Sequence, residues 1–389
     1  MRGKSAVLFP SALLFNLTCG LAAFGIIFYA RDLFHASAGQ IGWLAAMPQL
    51  AYLAGCLAFP PLFGLLLPRH YLLAAAGGTA LLLAGLLAAR CLTGLFVLYG
   101  LSGLLIAVFW PPLMGWLSRG LEAQSLGRTL RNFNLTWSSS HIFSPYAAGL
   151  LLERSRALPI WAAAGLAAVA CLYLWIACRA LPEVRLDRER EPTGRRDPRV
   201  PDRSTPLRYT AWVGQVSGYL VMGILSSSFP LFLRDALGFA ESRVGLLLLV
   251  RALFSTACFW VLGRTSFWHF RQLPMILGQI GLAALTLGLA FARSFLPLAL
   301  LLAPLGALTA LAYNESLFHG MSGSPRRAAR MAINEAARTV GFVAGATGGG
   351  LLLQHGSFRR TMLIAAGAIL AGAAVQSLLA WRAPARARA

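Results

Sequence analysis

Twelve apolar runs, each long enough to cross a bilayer, constrain this chain more than any other feature. They fall at approximately 7–30, 41–66, 71–89, 95–117, 130–152, 158–180, 209–232, 244–262, 273–292, 295–318, 331–353 and 361–381. A helix needs about 20 apolar residues to span about 30 Å of hydrocarbon. In lipid, only helices and closed barrels satisfy their own backbone polar groups. No long alternating segments suggest a barrel, so each run predicts a transmembrane helix. Interior prolines and glycines, as in Trp110-Pro111-Pro112 and Gly348-Gly349-Gly350, are compatible with this because neighbouring helices re-satisfy the freed backbone groups. Of the 389 residues, 58% are hydrophobic and 12% charged, against about 25% charged in soluble domains. The expected fold class is all-α: a polytopic membrane protein of twelve transmembrane helices.

One stretch differs in kind. Pro182 to Arg208 is charged, Pro-rich and almost free of apolar residues, and reads as a disordered linker. It divides the chain into 1–181 and 209–389, with six runs in each half. The halves repeat one another. At a shift of 203, Phe28 to Leu44 lies on Leu231 to Leu247, which brings Arg31-Asp32 onto Arg234-Asp235, Gly42 onto Gly245 and, further on, Arg90 onto Arg293. Past a three-residue gap the shift becomes 200, and Gly120 meets Gly320, Asn134 meets Asn334 and Gly149 meets Gly349. Chance similarity between apolar segments would not hold polar landmarks in register, so the twelve runs form two six-helix pseudo-repeats.

Net charge is +21, from 34 basic residues of which only Lys4 is a lysine. A nucleic-acid binder would gather these into one stripe with interleaved aromatics. Here they sit in short segments between apolar runs, so nucleic acid is not an expected partner. With the N-terminus inside, 24 basic residues fall on the cytoplasmic side, nine fall outside and Arg251 is left within a span. The positive-inside rule then places both termini and the linker in the cytoplasm. The first run continues past any signal-peptide length without a small-residue cleavage site and is expected to be a retained span. The six cysteines lie nearly all inside apolar runs, with no C-x-x-C and no zinc spacing, and read as small packing residues. No metal or cofactor is expected. No G-x-x-x-x-G-K-S/T motif is present, which excludes a nucleotide-driven pump on this chain.

Two helices carry the local motifs. Span five holds Ser144-Pro145-Tyr146-Ala147-Ala148-Gly149, similar to the Gly-Pro-x-x-Gly-Gly signature of antiporter-type members of the major facilitator superfamily (MFS). Span eleven holds Gly341, Gly345 and Gly349, a small-xxx-small spacing that lets helices approach closely. With two six-helix parallel repeats and a central linker, the chain resembles this superfamily of secondary transporters over its whole length outside the linker. The loop after span two departs from the family pattern: Gly64-Leu-Leu-Leu-Pro68-Arg69-His70 lacks the acid, and the second half keeps only Gly263-Arg264 there. The resemblance implies alternating access to a central cavity for a small-molecule substrate. It also implies symport or antiport, protons being the candidate coupling ion, by a monomer in a bacterial cytoplasmic membrane. The competing readings are a membrane-embedded transferase-type enzyme and a non-transporting partner or sensor protein of the same fold.

Ionisable groups inside a bilayer are costly and mark function by default. Of thirteen acids, six lie in the linker, and Asp32, Glu122, Glu153, Asp235 and Glu241 fall in loops or at span ends. Glu315 in span ten and Glu335 in span eleven remain. Glu315 has His319 at i+4 on the same face, and a carboxyl beside an imidazole is a proton-exchange candidate; the bland alternative is an interfacial Glu. Glu335 has Arg338 at i+3 and reads either as a self-neutralising pair or as a gate. Its first-half counterparts are Arg131 and Asn134. Arg251 lies about 10 Å into span eight with nothing on its own helix to pair with. It is expected to meet an acid across the bundle or an anionic substrate. His141 takes the place of Gly341 in the other half. Asn16, Trp110, Trp137, Gln215, Tyr219 and Asn314 are polar or aromatic cavity candidates, each also explicable as helix packing.

Overall fold

The computed structural model describes residues 2–63, 65–118, 123–181, 184, 205–324 and 327–382. Within these, every regular element is helical. The long helices are α1 (Arg2–Leu33), α2 (Ala38–Ala58), α3 (Pro68–Leu87), α4 (Leu92–Ser118), α5 (Ala123–Arg154) and α6 (Leu158–Ala180) in the first half. The second half has α7 (Leu207–Ser226), α8 (Glu241–Leu262), α9 (Gln272–Leu289), α10 (Phe295–Met321), α11 (Arg327–Gln354) and α12 (Phe358–Arg382). Eleven of these spans are long and apolar enough to cross a membrane. The exception is α5, whose Asn132, Asn134, Thr136 and Ser138 to Ser140 dilute its apolar content. The protein is therefore an all-α polytopic membrane protein. Most of the charged 182–208 segment lies outside the described residues, as do Gly64, Gly120, Glu122 and Arg326. Val184, read above as part of a disordered linker, is instead buried in a core with Leu72, Trp116 and Leu174, and its carbonyl accepts Arg69 Nη1 at 3.4 Å.

α7 shows how irregular backbone is accommodated at membrane depth. Its regular helix stops at Ser227, with φ −130 and ψ −70, and resumes through Ser228–Leu231 and a π turn at Phe232–Ala236. The Ser227 hydroxyl donates to Gly223 O at 2.9 Å and lies 3.3 Å from Ala346 O, so a side chain occupies a carbonyl at the break.

The contacts divide the chain into two compact units. The first comprises Met1–Ala36, Met47–Gly194 and Ala240–Leu249. There α1 packs against α4, α5 and α6, and α3 against α4 and α6, with the rings of Phe15 and Phe109 stacked at 3.8 Å. The second comprises Ser37–Ala46, Arg195–Phe239 and Val250–Ala389. There α7 packs against α9, α10, α11 and α12. Lipid is as apolar as leucine, so helix association depends on close packing, which small residues permit. At Gly341 and Gly345 an added Cβ would run into the backbone carbonyls of Val216 and Leu220 on α7.

Each unit also takes the first turns of a helix from the other half of the sequence. In the first unit, Gly245 of α8 lies against the carbonyl of Pro145 on α5, and Gly149 of α5 against that of Glu241. In the second unit, Gly42 of α2 lies against Ala346 O of α11, and Gly350 against Ala38 O. Gly42 and Gly245 are the repeat-related pair found at the shift of 203. The duplicated sequence thus produces a duplicated helix crossing.

Candidate functional site

The polar candidates read from the sequence gather in two places, one in each unit. In the first unit, Asn16 Nδ2 of α1 donates to Trp137 O at 2.8 Å and to Ser140 Oγ, both on α5. Trp137 Nε1 donates to Asn134 Oδ1 at 3.0 Å, and His141 stands edge-on to Trp137 at 5.7 Å. Trp110 of α4 meets Phe133 of α5 edge-to-face at 5.8 Å. These sequence candidates therefore form one connected group around the middle of α5. Arg131 does not join it: its side chain is exposed and reaches Asn132 Oδ1 at 3.4 Å.

The second unit holds the charged members. Gln215 of α7 is fully buried and its Nε2 donates to Asn334 O of α11 at 3.2 Å. Ser316 of α10 donates to Asn334 Oδ1 at 2.6 Å. One turn along α11, Arg338 Nε lies 2.9 Å from Glu335 Oε2, and its guanidinium lies 5.6 Å from the centre of the Tyr219 ring. Tyr219 meets Tyr313 of α10 at 6.2 Å, and Tyr313 meets Phe259 of α8 at 5.9 Å.

Arg251 reaches the same face of α7. Gly306 of α10 crosses α8 at the Arg251 carbonyl, and Ser255 Oγ donates to Gly306 O at 2.6 Å. With its backbone held there, Arg251 extends to α7, where Nη1 donates to the Met222 thioether at 3.2 Å. Its Nε is buried and has no hydrogen-bond partner. Among the described residues no carboxylate pairs with it, so the acid across the bundle allowed by the sequence is not found there.

Glu315 is 3% exposed, and its Oε1 is buried without a hydrogen-bond partner. The expected contact between its carboxyl and the His319 imidazole does not form. His319 Nδ1 lies 2.8 Å from the backbone carbonyl of Glu315, and Phe270 N donates to Nε2 at 3.1 Å. An Nε2 that accepts leaves the proton on Nδ1, so the ring is a neutral bridge from α10 to the loop before α9. Spacing at i+4 placed the two residues together but could not say which atoms meet. Asn314, beside Glu315, makes no side-chain hydrogen bond among the described residues.

A further polar group was not visible in the sequence. Arg156, between α5 and α6, pairs with Asp32 of α1 and Glu241 of α8, while Glu153 Oε1 accepts the Ser242 N–H at 3.2 Å. All lie in the first unit. Among the described residues no three His, Cys, Asp or Glu side chains are grouped as a metal site would require.

Membrane-spanning helices in a duplicated arrangement, with buried polar groups carried on α7, α8, α10 and α11, define a polytopic helical membrane protein with polar groups inside its bundles. The family model of the Major Facilitator Superfamily matches residues 8–314, and the chain belongs to that superfamily. Its solved relatives share the fold at low identity. The nucleoside transporter NupG is 13% identical with a TM-score of 0.72, covering 99% of this chain and 100% of its own. A bacterial homologue of the human lysosomal transporter Spinster, in an inward-facing and occupied conformation, is 12% identical with a TM-score of 0.77, covering 100% of this chain and 99% of its own. No curated protein matches the chain in sequence. The protein is thus an integral membrane transporter of the secondary type, with the bilayer and a small-molecule substrate as its partners.

Proposed function

We propose that this transporter moves a small organic solute by alternating access and couples that movement to protons, with Glu315 as the proton carrier and no enzymatic step. The halves 1–181 and 209–389 are the moving parts and 182–208 their tether, in a bacterial inner membrane with both termini on the cytoplasmic side, an orientation that the arginine distribution supports. The observation that carries the reading is Glu315: a carboxyl inside a spanning helix, 3% exposed, with a partnerless buried oxygen. Coupling needs a membrane-depth group free to alternate between charged and neutral forms. Glu335, held by Arg338 at 2.9 Å, is fixed in a pair and serves as a gating or structural element.

Purified protein in proteoliposomes with an imposed pH gradient tests this. Glu315→Gln mimics the protonated carboxyl, so exchange of solute down its gradient persists while pH-driven accumulation is lost. Accumulation undiminished in Glu315→Gln would remove Glu315 from the coupling step and bring Glu335 or uniport forward.

A further inference from the structure

We propose that the second unit carries a binding site for an organic monoanion, with Arg251 as the residue that takes the anionic group. The proposal deepens the transport reading above and rests on it for the fate of the bound solute.

The argument starts from Arg251. A guanidinium inside a spanning helix must find compensation, and here it finds little. Its Nη1 donates to the Met222 sulfur, and Nε is buried with no partner. A thioether is a weak acceptor. The Nε–H and Nη–H edge of a guanidinium matches the two oxygens of a carboxylate or a phosphate, and such bidentate pairs are both stronger and more directional than neutral hydrogen bonds. The unsatisfied edge of Arg251 therefore describes its missing partner: a planar or tetrahedral oxyanion.

The surroundings set the charge and the body of the ligand. Tyr219, one turn before Met222 on α7, has Arg338 over its ring at 5.6 Å. Arg338 is paired with Glu335 at 2.9 Å, so those two charges offset one another, and Arg251 is the positive charge left on this face of α7. One negative charge on the ligand balances it. Beside these charges lie the rings of Tyr219, Tyr313 and Phe259, in contact in series at 6.2 and 5.9 Å. They offer an apolar, partly aromatic wall with phenolic groups. The class that fits is a carboxylate or phosphodiester with an apolar or aromatic body, a phosphate monoester carrying closer to two charges at neutral pH, and not a free inorganic ion or a polyanion.

The test separates binding from flux. Full-length protein in detergent is titrated with benzoate, hexanoate and diphenyl phosphate, all monoanions, and with benzamide and benzylamine as neutral and cationic counterparts, reading the thermal midpoint. At least one of the three anions is expected to raise the midpoint saturably, with benzamide and benzylamine without effect. Arg251→Gln should weaken that anion about tenfold or more. Arg251→Lys keeps the charge but loses the bidentate edge, and should fall between. Equal response to benzoate and benzamide, no response to any of the anions, or an anion response unchanged in Arg251→Gln would overturn the site. Flux of the same compounds in proteoliposomes reads the other layer. Anion binding through Arg251 with no flux under any gradient refutes transport of such anions and leaves the site standing. Flux with no preference for anions refutes the site and leaves transport standing.

Discussion

Arg156 Nε lies 2.7 Å from Asp32 Oδ2, tying the turn between α5 and α6 to the end of α1. The same guanidinium contacts Glu241 Oε1 at the start of α8. With 37% of its side chain exposed, Arg156 is in reach of water, and exposed pairs contribute only about 0.2–1 kcal/mol each. Arg156→Gln should therefore lower the thermal midpoint slightly in low salt. Addition of about 1 M salt, which shortens screening to about 3 Å, should erase the difference from wild type. A large loss that persists in high salt would mean that Arg156 acts through packing.

The glycine crossings make a sharper prediction. Gly42→Ala and Gly245→Ala each drive a methyl group into a backbone carbonyl, and overpacking of that kind costs about 1–3 kcal/mol. Gly165→Ala and Gly367→Ala serve as controls, because nothing lies within 4 Å of the added carbon. These should be neutral or stabilising by up to about 1 kcal/mol through helix propensity. Thermal melts of the four variants in one detergent decide the matter.

At the Glu335–Arg338 pair, removing one partner is expected to hurt more than removing both. Glu335→Gln takes the carboxylate away from a half-buried cation, 17% of whose side chain is exposed, which should cost about 1–3 kcal/mol. It should impair both exchange and pH-driven accumulation, unlike Glu315→Gln. The double variant Glu335→Gln, Arg338→Gln should recover part of the lost stability. Recovery is read as the thermal midpoint, and a double variant worse than the single one would exclude a simple pair.

Below neutrality His269 should weaken the fold. It stacks on Phe318 at 4.3 Å in the loop between α8 and α9, and burial holds its imidazole below its ordinary value of 6.5. The folded state therefore binds this proton less well than the unfolded state. The contribution is nil above the unfolded pKa of about 6.5 and becomes destabilising as pH falls through it. His269→Phe keeps the stacking and removes the proton, so its midpoint should exceed that of wild type by a margin that grows from about pH 7 to pH 5. A constant margin would assign the difference to packing alone.

The spans and the repeat were legible because a bilayer imposes length and apolarity on every helix, and because duplication left Gly42 and Gly245 in register. The Glu335–Arg338 pair was legible because i+3 spacing on a helix is a distance. Glu315 and His319 were placed side by side correctly, yet the sequence could not show that the imidazole bonds the Glu315 carbonyl while Phe270 N–H occupies its other nitrogen. Arg156, Asp32 and Glu241 were invisible as a group because three loop or end positions become neighbours only through tertiary packing. Val184 is not legible in the sequence because one apolar residue in a charged stretch carries no periodicity, although it is buried in the same core as Leu72 and Trp116.

The reciprocal crossings bear on how the protein is made. As the ribosome releases the first half, Gly42 has no Ala346 to rest on, and that bare glycine face must wait in lipid until α11 is inserted. The start of α8, by contrast, finds Pro145 and Gly149 already in place as soon as it enters the membrane. Assembly is thus ordered by the chain itself: α5 receives α8 early, α2 receives α11 late. A truncation ahead of α11 should leave an inserted but protease-sensitive intermediate.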